Sequence, residues 1–247
     1  MESISSYVRE LLINIHKNEV NLHMGSTLSC VEILTVLLTK YVKRSSNPLE
    51  KDWLILSKGH AAPALYALLA LEGLIPYEEL FKMQSIDSML QGHPDTSIAG
   101  VDVSTGSLGQ GLSIGVGIAT WIKLRGGSGR VYIVMGDGEQ DEGEVWEAIT
   151  HAVVRKLSNL IVIVDDNGYQ LDGRVCDIKP KYFMPFIWST IGWAVILCNG
   201  HSVSSLISAI DRALVNEKPT VIFAKTVRGK GLKQIEGTDI QRVELWS

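Results

Sequence analysis

Two kinds of apolar pattern alternate along this chain. Val131-Tyr-Ile-Val-Met135 and Leu160-Ile-Val-Ile-Val164 are short, continuous and rich in β-branched residues, as parallel strands covered on both faces are. Shorter runs at Trp53 to Leu56, Trp193 to Leu197 and Thr220 to Ala224 predict three further strands. Helical spacing predicts helices over residues 3–17 and 29–43, the second with Val31, Leu34, Leu37, Leu38 and Tyr41 on one stripe. Further helices are predicted over 61–71, from Gly111 to about Leu124, over 142–155 and over 203–215. Pro63 falls in the first turn of the helix over 61–71, where its missing N–H is harmless. Loops are expected at 21–26, 91–94 and 104–111, and a turn at Gly126-Gly-Ser-Gly129. Strands alternating with helices imply an α/β fold: a mainly parallel sheet with helices on both faces. No break in composition divides residues 1–247, so one domain is expected.

The chemistry-bearing residues cluster where two of those strands end. Gly136-Asp-Gly138 follows one and Asp166-Asn167 the other, at the carboxyl edge where open α/β sheets bind ligands. An Asp carboxylate, an Asn amide oxygen and a backbone carbonyl, here that of Tyr169, are oxygen donors suited to a hard divalent cation shared with a phosphate. Either motif alone is as well explained as a turn; the pair, each after an apolar strand, favours the metal and diphosphate reading. Three of the six histidines, His23, His60 and His93, lie in glycine-flanked loops between elements, which suggests one pocket for proton transfer or hydroxyl recognition. His16 and His151 fall within helices, and His201 is expected to make a local cap or turn contact. Glu139, Asp141, Glu142 and Glu144 crowd a helix entrance, as the helix dipole alone would favour. Gly109-x-Gly111 with Gly115 departs from dinucleotide-binding spacing, and no acidic residue follows at the required distance.

A net charge of −4 with interspersed signs and no basic stripe argues against nucleic acid and anionic membranes as partners. Three cysteines without metal-type spacing fit a reducing compartment, and with no leader or bilayer-length apolar run the expected location is cytoplasmic.

Taken in order, His23-Met-Gly25, Ser57-Lys-Gly-His60, Gln91-Gly-His-Pro94, Thr105-Gly-Ser-Leu-Gly109, Gly136-Asp-Gly138, Asp166-Asn167, Asn199-Gly-His201 and Thr226-Val-Arg-Gly-Lys-Gly231 resemble the thiamine-diphosphate-binding half of transketolase, over residues 7 to about 236. The resemblance implies Asp137, Asn167 and the Tyr169 carbonyl on Mg²⁺ or Ca²⁺, Gly138 and His60 on the cofactor diphosphate, and Gly106, Ser107 and Leu108 near its rings. It implies His23 and His93 on donor hydroxyls, and Glu142 bonded across a subunit interface to a partner glutamate. It also implies a partner chain carrying the pyrimidine-binding and C-terminal domains in an α2β2 heterotetramer, with a sugar or sugar phosphate as substrate. Transfer of a two-carbon ketol unit is the leading activity; another thiamine-diphosphate acyl or ketol transfer and a non-catalytic scaffold are the alternatives. Two departures stand out: Ser107 replaces a common proline, and the family histidine expected after Gly231 is absent, His201 being the last in the chain.

Overall fold

The computed structural model describes residues 1–17 and 22–239. Asn21, at the start of one expected loop, and the segment 240–247 lie outside the described residues. In chain order the elements are α1 (Glu2–Lys17), α2 (Met24–Ser29), α3 (Val31–Val36) with a wider turn at Leu37–Tyr41, β1 (Trp53–Leu56) and α4 (Ala62–Leu71). Next come α5 (Gln110–Leu124), β2 (Val131–Gly136), α6 (Gly143–Val154), β3 (Leu160–Asp166) and a small hairpin of β4 (Tyr169–Gln170) and β5 (Gly173–Arg174). The chain continues through α7 (Val175–Ile178), α8 (Met184–Ile191), β6 (Ala194–Asn199), α9 (Val203–Leu214) and β7 (Thr220–Lys225).

Five strands form one parallel sheet in the order β1-β2-β3-β7-β6. Alternate side chains of each strand point to opposite faces, which explains why the central strands look uniformly apolar. Tyr132, Val134, Ile161, Ile163 and Ile222 pack beneath α1–α4 and α9. Ile133, Met135, Val162, Val164 and Phe223 pack against α5, α6 and α8. Each fully buried Leu, Ile or Val contributes roughly 1.5–3 kcal/mol, so both faces are needed to hold the sheet. Handedness places the layers. Steps from β1 to β2 to β3 return through α5 and α6 on one face, whereas β6 returns to β7 through α9 on the other, as right-handed crossovers require. The winding therefore reverses at β6, and a crevice opens over the carboxyl ends of β1, β2 and β3, with the loop after β7 at its side. Helix α5 presses close to β1 because Gly111 has no side chain: a Cβ there would lie 2.9 Å from Ser57 Cα.

The expected helix over 29–43 differs from what forms. Helix begins earlier, at Met24, and is interrupted at Cys30, whose φ of −102° and ψ of 9° bend the axis. Met24, Gly25, Thr27, Leu28 and Ser29 are all buried, so this short helix shows no apolar stripe to read. Helix α8 is a further addition to the expected elements, although Pro185 in its first turn and Gly192 just beyond it, with φ of 122°, are the usual boundary residues. Among the described residues no helix is long and apolar enough to cross a membrane.

Candidate functional site

The crevice holds a cavity of about 450 Å³. One wall is made by the loops after β2 and β3. Asp137 is buried there and joins the loops: its two carboxylate oxygens accept from Gly138 N at 2.9 Å and Gly168 N at 2.6 Å. Asn167, also buried, accepts from Tyr169 N at 2.9 Å through its amide oxygen. Burial, followed by the charges of Asp166 and Asp165, pushes the Asp137 carboxyl up to about 7. Two further acceptors on this wall, Asp141 Oδ2 and Gln170 Oε1, are buried without a hydrogen-bond partner among the described residues. Buried acceptors beside a strained carboxylate fit a cation, with its waters or phosphate ligands completing the shell. No three His, Cys, Asp or Glu side chains converge as a metal cage among the described residues.

The opposite wall carries the three loop histidines, brought together as expected. The His23 and His60 rings meet edge to face at 5.6 Å, and His93 lines the same cavity. Burial first, then the Lys58 charge and the neighbouring His23 and His93, holds His60 down at about 3, so at neutral pH its ring carries no charge. His93 is placed by its backbone: Tyr66 Oη donates to its carbonyl at 2.8 Å, and Thr105 N donates to Pro94 O at 3.2 Å. Its ring lies against Gly106, where a Cβ would come within 3.3 Å. Gly106, Leu108, Gly138 and Tyr169 also line the cavity; Ser107 does not, because its side chain points to solvent. Glu142 is exposed at the rim, at the N-terminus of α6, and makes no capping bond there.

Beneath these walls lie groups with no expected role. Lys58 and Asp165 form a fully buried ion pair, and Asp165 also takes the hydroxyls of Ser29 at 2.5 Å and of Thr226. Lys58 Nζ reaches Ser26 O at 3.1 Å, so the pair ties the His23 side of the cavity to the end of β3. Burial favours the neutral forms of both groups, but their mutual attraction outweighs it, raising Lys58 and lowering Asp165. Sequence spacing cannot reveal a pair more than a hundred residues apart.

Two expectations, those for Glu139 and His201, are corrected. Glu139 is no helix-dipole residue: it is buried, and its carboxylate accepts from Ser57 Oγ, from Gly109 N at 2.9 Å and from Gly136 N at 3.0 Å, joining three loops. Asp141 pairs with Lys181 on the segment after α7. His201 makes more than a local turn contact, since its ring spans from Glu32 to the backbone of Val227. Arg228, which the sequence motif contained without a role, is a buried cation on the cavity wall. Trp146 is half-buried, bonded through Nε1 to Gln140 O at 3.1 Å and packed against the α6 side of the core.

The family described as transketolase, thiamine diphosphate binding domain, matches residues 1–242. A protein named 6-deoxy-6-sulfo-D-fructose transketolase subunit SqwG, from Clostridium sp. (strain MSTE9), is 40% identical over 220 residues, 87% of this chain and 80% of that protein. An apulose-4-phosphate transketolase subunit from Actinobacillus succinogenes is 37% identical over 96% of this chain and 88% of its own length. A crystal structure of transketolase from Campylobacter jejuni superposes with a TM-score of 0.90 and 31% identity over 96% of this chain. The match spans 39% of that solved chain, against the much larger share of the two subunit relatives.

Proposed function

The chain belongs to the transketolase family through its thiamine-diphosphate-binding domain, and on that premise we propose that it is one subunit of a split transketolase, moving a two-carbon ketol unit from a ketose or ketose phosphate to an aldehyde. The observation that carries this reading is the pairing of Asp137 and Asn167 at the ends of adjacent strands, facing three histidines across one cavity. Relatives named as subunits support a partner chain, with α2β2 as the simplest assembly that pairs each cavity with a pyrimidine-binding domain.

When bound, thiamine diphosphate supplies a thiazolium carbon that adds to the donor carbonyl and holds the electrons released as the carbon–carbon bond breaks. This chain's residues bind and orient around that chemistry. Asp137, Asn167 and the Tyr169 carbonyl would hold Mg²⁺ or Ca²⁺ against the diphosphate, relieving the carboxylate that burial strains. Neutral His60 and the Gly138 backbone N–H would donate to phosphate oxygens. Gly106, Ser107 and Leu108 would run past the rings, Ser107 through its backbone because its side chain faces away. His23 and His93 would hold donor hydroxyls. Glu142 would reach the partner glutamate that handles the aminopyrimidine proton, consistent with its place on the rim.

The purified chain, with thiamine diphosphate and Mg²⁺ alone, is expected to be inert on ketose phosphates, and the pyrimidine-binding partner is expected to restore transfer. Turnover by the rigorously purified chain would overturn the split-subunit reading, and a complex that binds no thiamine diphosphate would favour a scaffold. In the active complex, His93→Ala is expected to lower kcat/KM for a hydroxylated ketose by about a hundredfold, while cofactor affinity changes by less than about threefold. Equal losses in both quantities would move His93 to the cofactor.

A further inference from the structure

Asn199 ends β6, and Gly200 and His201 turn the chain outside the lining of the cavity. The parts of this turn fit together physically. Asn199 Oδ1 accepts from His201 N at 2.9 Å and turns the chain, and Gly200 N donates to Lys225 O at 2.8 Å. Gly200 has no room for a side chain, since a Cβ would collide with the methyl of Thr226. This close approach carries the His201 ring over the start of the 226–231 loop. There Val227 N donates to Nε2 at 2.8 Å, so Nε2 bears no proton, and the ring's proton sits on Nδ1, 2.9 Å from Glu32 Oε2. The other oxygen of Glu32 pairs with Arg9, whose guanidinium also donates to Leu28 O at 2.8 Å and to Lys230 O at 2.6 Å.

The loop is thus held at both ends by one largely buried polar network: His201 at Val227 and Arg9 at Lys230, joined through Glu32 of α3. Between those points Gly229 N donates to Gly25 O at 2.9 Å, and the Arg228 guanidinium fills the space a Cβ on Gly25 would take, 2.5 Å away. Gly25 belongs to α2, the helix that begins just after His23. The network therefore sets the distance between the Arg228 wall of the cavity and its histidine wall.

We infer that His201 is a positioning residue that fastens the 226–231 loop through Glu32 and so places Arg228 for contact with an anionic group of the bound cofactor or sugar donor. This rests on the function proposed above only for the identity of that anion; the fastening itself is a property of the chain. A glutamine at 201 can accept at one end of its amide and donate at the other, as the imidazole does, whereas leucine can do neither.

Hydrogen exchange on the full chain tests the fastening directly. His201→Leu is expected to speed exchange of the 226–231 amides by about tenfold or more while the β3 amides keep wild-type protection, and His201→Gln is expected to restore most of the loop protection. Unchanged loop exchange in His201→Leu would overturn the inference, as would equal acceleration throughout the sheet. In the complex with the partner chain, His201→Leu and Arg228→Ala are each expected to raise donor KM or the thiamine diphosphate Kd by about tenfold, and the double variant to lose no more than the worse single. Whichever constant moves identifies the donor or the cofactor as the anion's source, and fully additive losses would overturn the link to Arg228. A wild-type complex that binds no thiamine diphosphate would instead refute the functional reading and leave the exchange result to decide the role of His201.

Discussion

Calorimetric titration of the complex carrying Asp137→Ala with thiamine diphosphate and Mg²⁺ is expected to show affinity reduced by at least about a hundredfold. In the proposed ligand set the Asp137 carboxylate would be the charged donor beside the Asn167 amide and Tyr169 carbonyl oxygens, so its loss would leave two neutral protein donors in an open site. The Gly138 and Gly168 N–H groups lose their acceptor as well, at a cost of about 1 kcal/mol each, which the sheet should tolerate. A second signature comes from proton linkage. Burial and the neighbouring Asp166 and Asp165 charges raise the carboxyl from 3.8 to about 7 in the folded, metal-free chain. Between those values the folded chain retains a proton that the unfolded chain has released, so stability falls as pH rises through that window and levels off above it. His60, held low by burial, contributes the opposite slope between about pH 5 and pH 6.5, so the Asp137 contribution is read as a difference: in urea unfolding of the metal-free chain, wild type should lose stability relative to Asp137→Asn by on the order of a few kcal/mol between about pH 5 and about pH 8. Wild-type cofactor affinity in Asp137→Ala would place the metal elsewhere.

Lys58→Met is expected to destabilise the chain by about 3–5 kcal/mol, because it leaves the Asp165 carboxylate buried without its counter-charge. Hydroxyls of Ser29 and Thr226 remain as donors, but they do not replace a full charge. The pH dependence should change sign at this residue. In the native chain the Lys58 charge and hydrogen bonds outweigh burial and hold Asp165 below the usual carboxylate range, so its contribution is present above the unfolded pKa and is lost on acidification. Without Lys58, burial dominates and raises that pKa, so acidification from neutral pH should restore stability. Asp165→Asn in the Lys58→Met background should recover most of the loss. A penalty below about 1 kcal/mol for Lys58→Met would mean that the pair behaves like a surface ion pair, and that the carboxylate reaches water or another cation.

Local pattern determined much of this protein. The five strand positions, the helices on both faces and the Asp137, Asn167, His23, His60 and His93 positions are legible because each depends on apolar periodicity or on a short motif at the end of an element. Helix α2 escapes such a reading because burial on every side removes the amphipathic stripe, and the turn geometry at Cys30 leaves no mark in composition. Charged residues were the least legible. The sequence places Glu139 in an acidic loop, where the helix dipole is explanation enough, but the fold surrounds it with Ser57, Gly109 and Gly136. Lys58 with Asp165, and Arg9 with Glu32 and His201, come from distant parts of the chain. Whether a charged side chain is a solvated surface group or a buried strut depends on partners brought within about 3 Å by the topology, and the Coulomb and desolvation terms that decide it vary most steeply at that range. Sequence spacing records which residues can carry chemistry; the right-handed winding of the sheet decides which of them meet over the carboxyl ends of its strands.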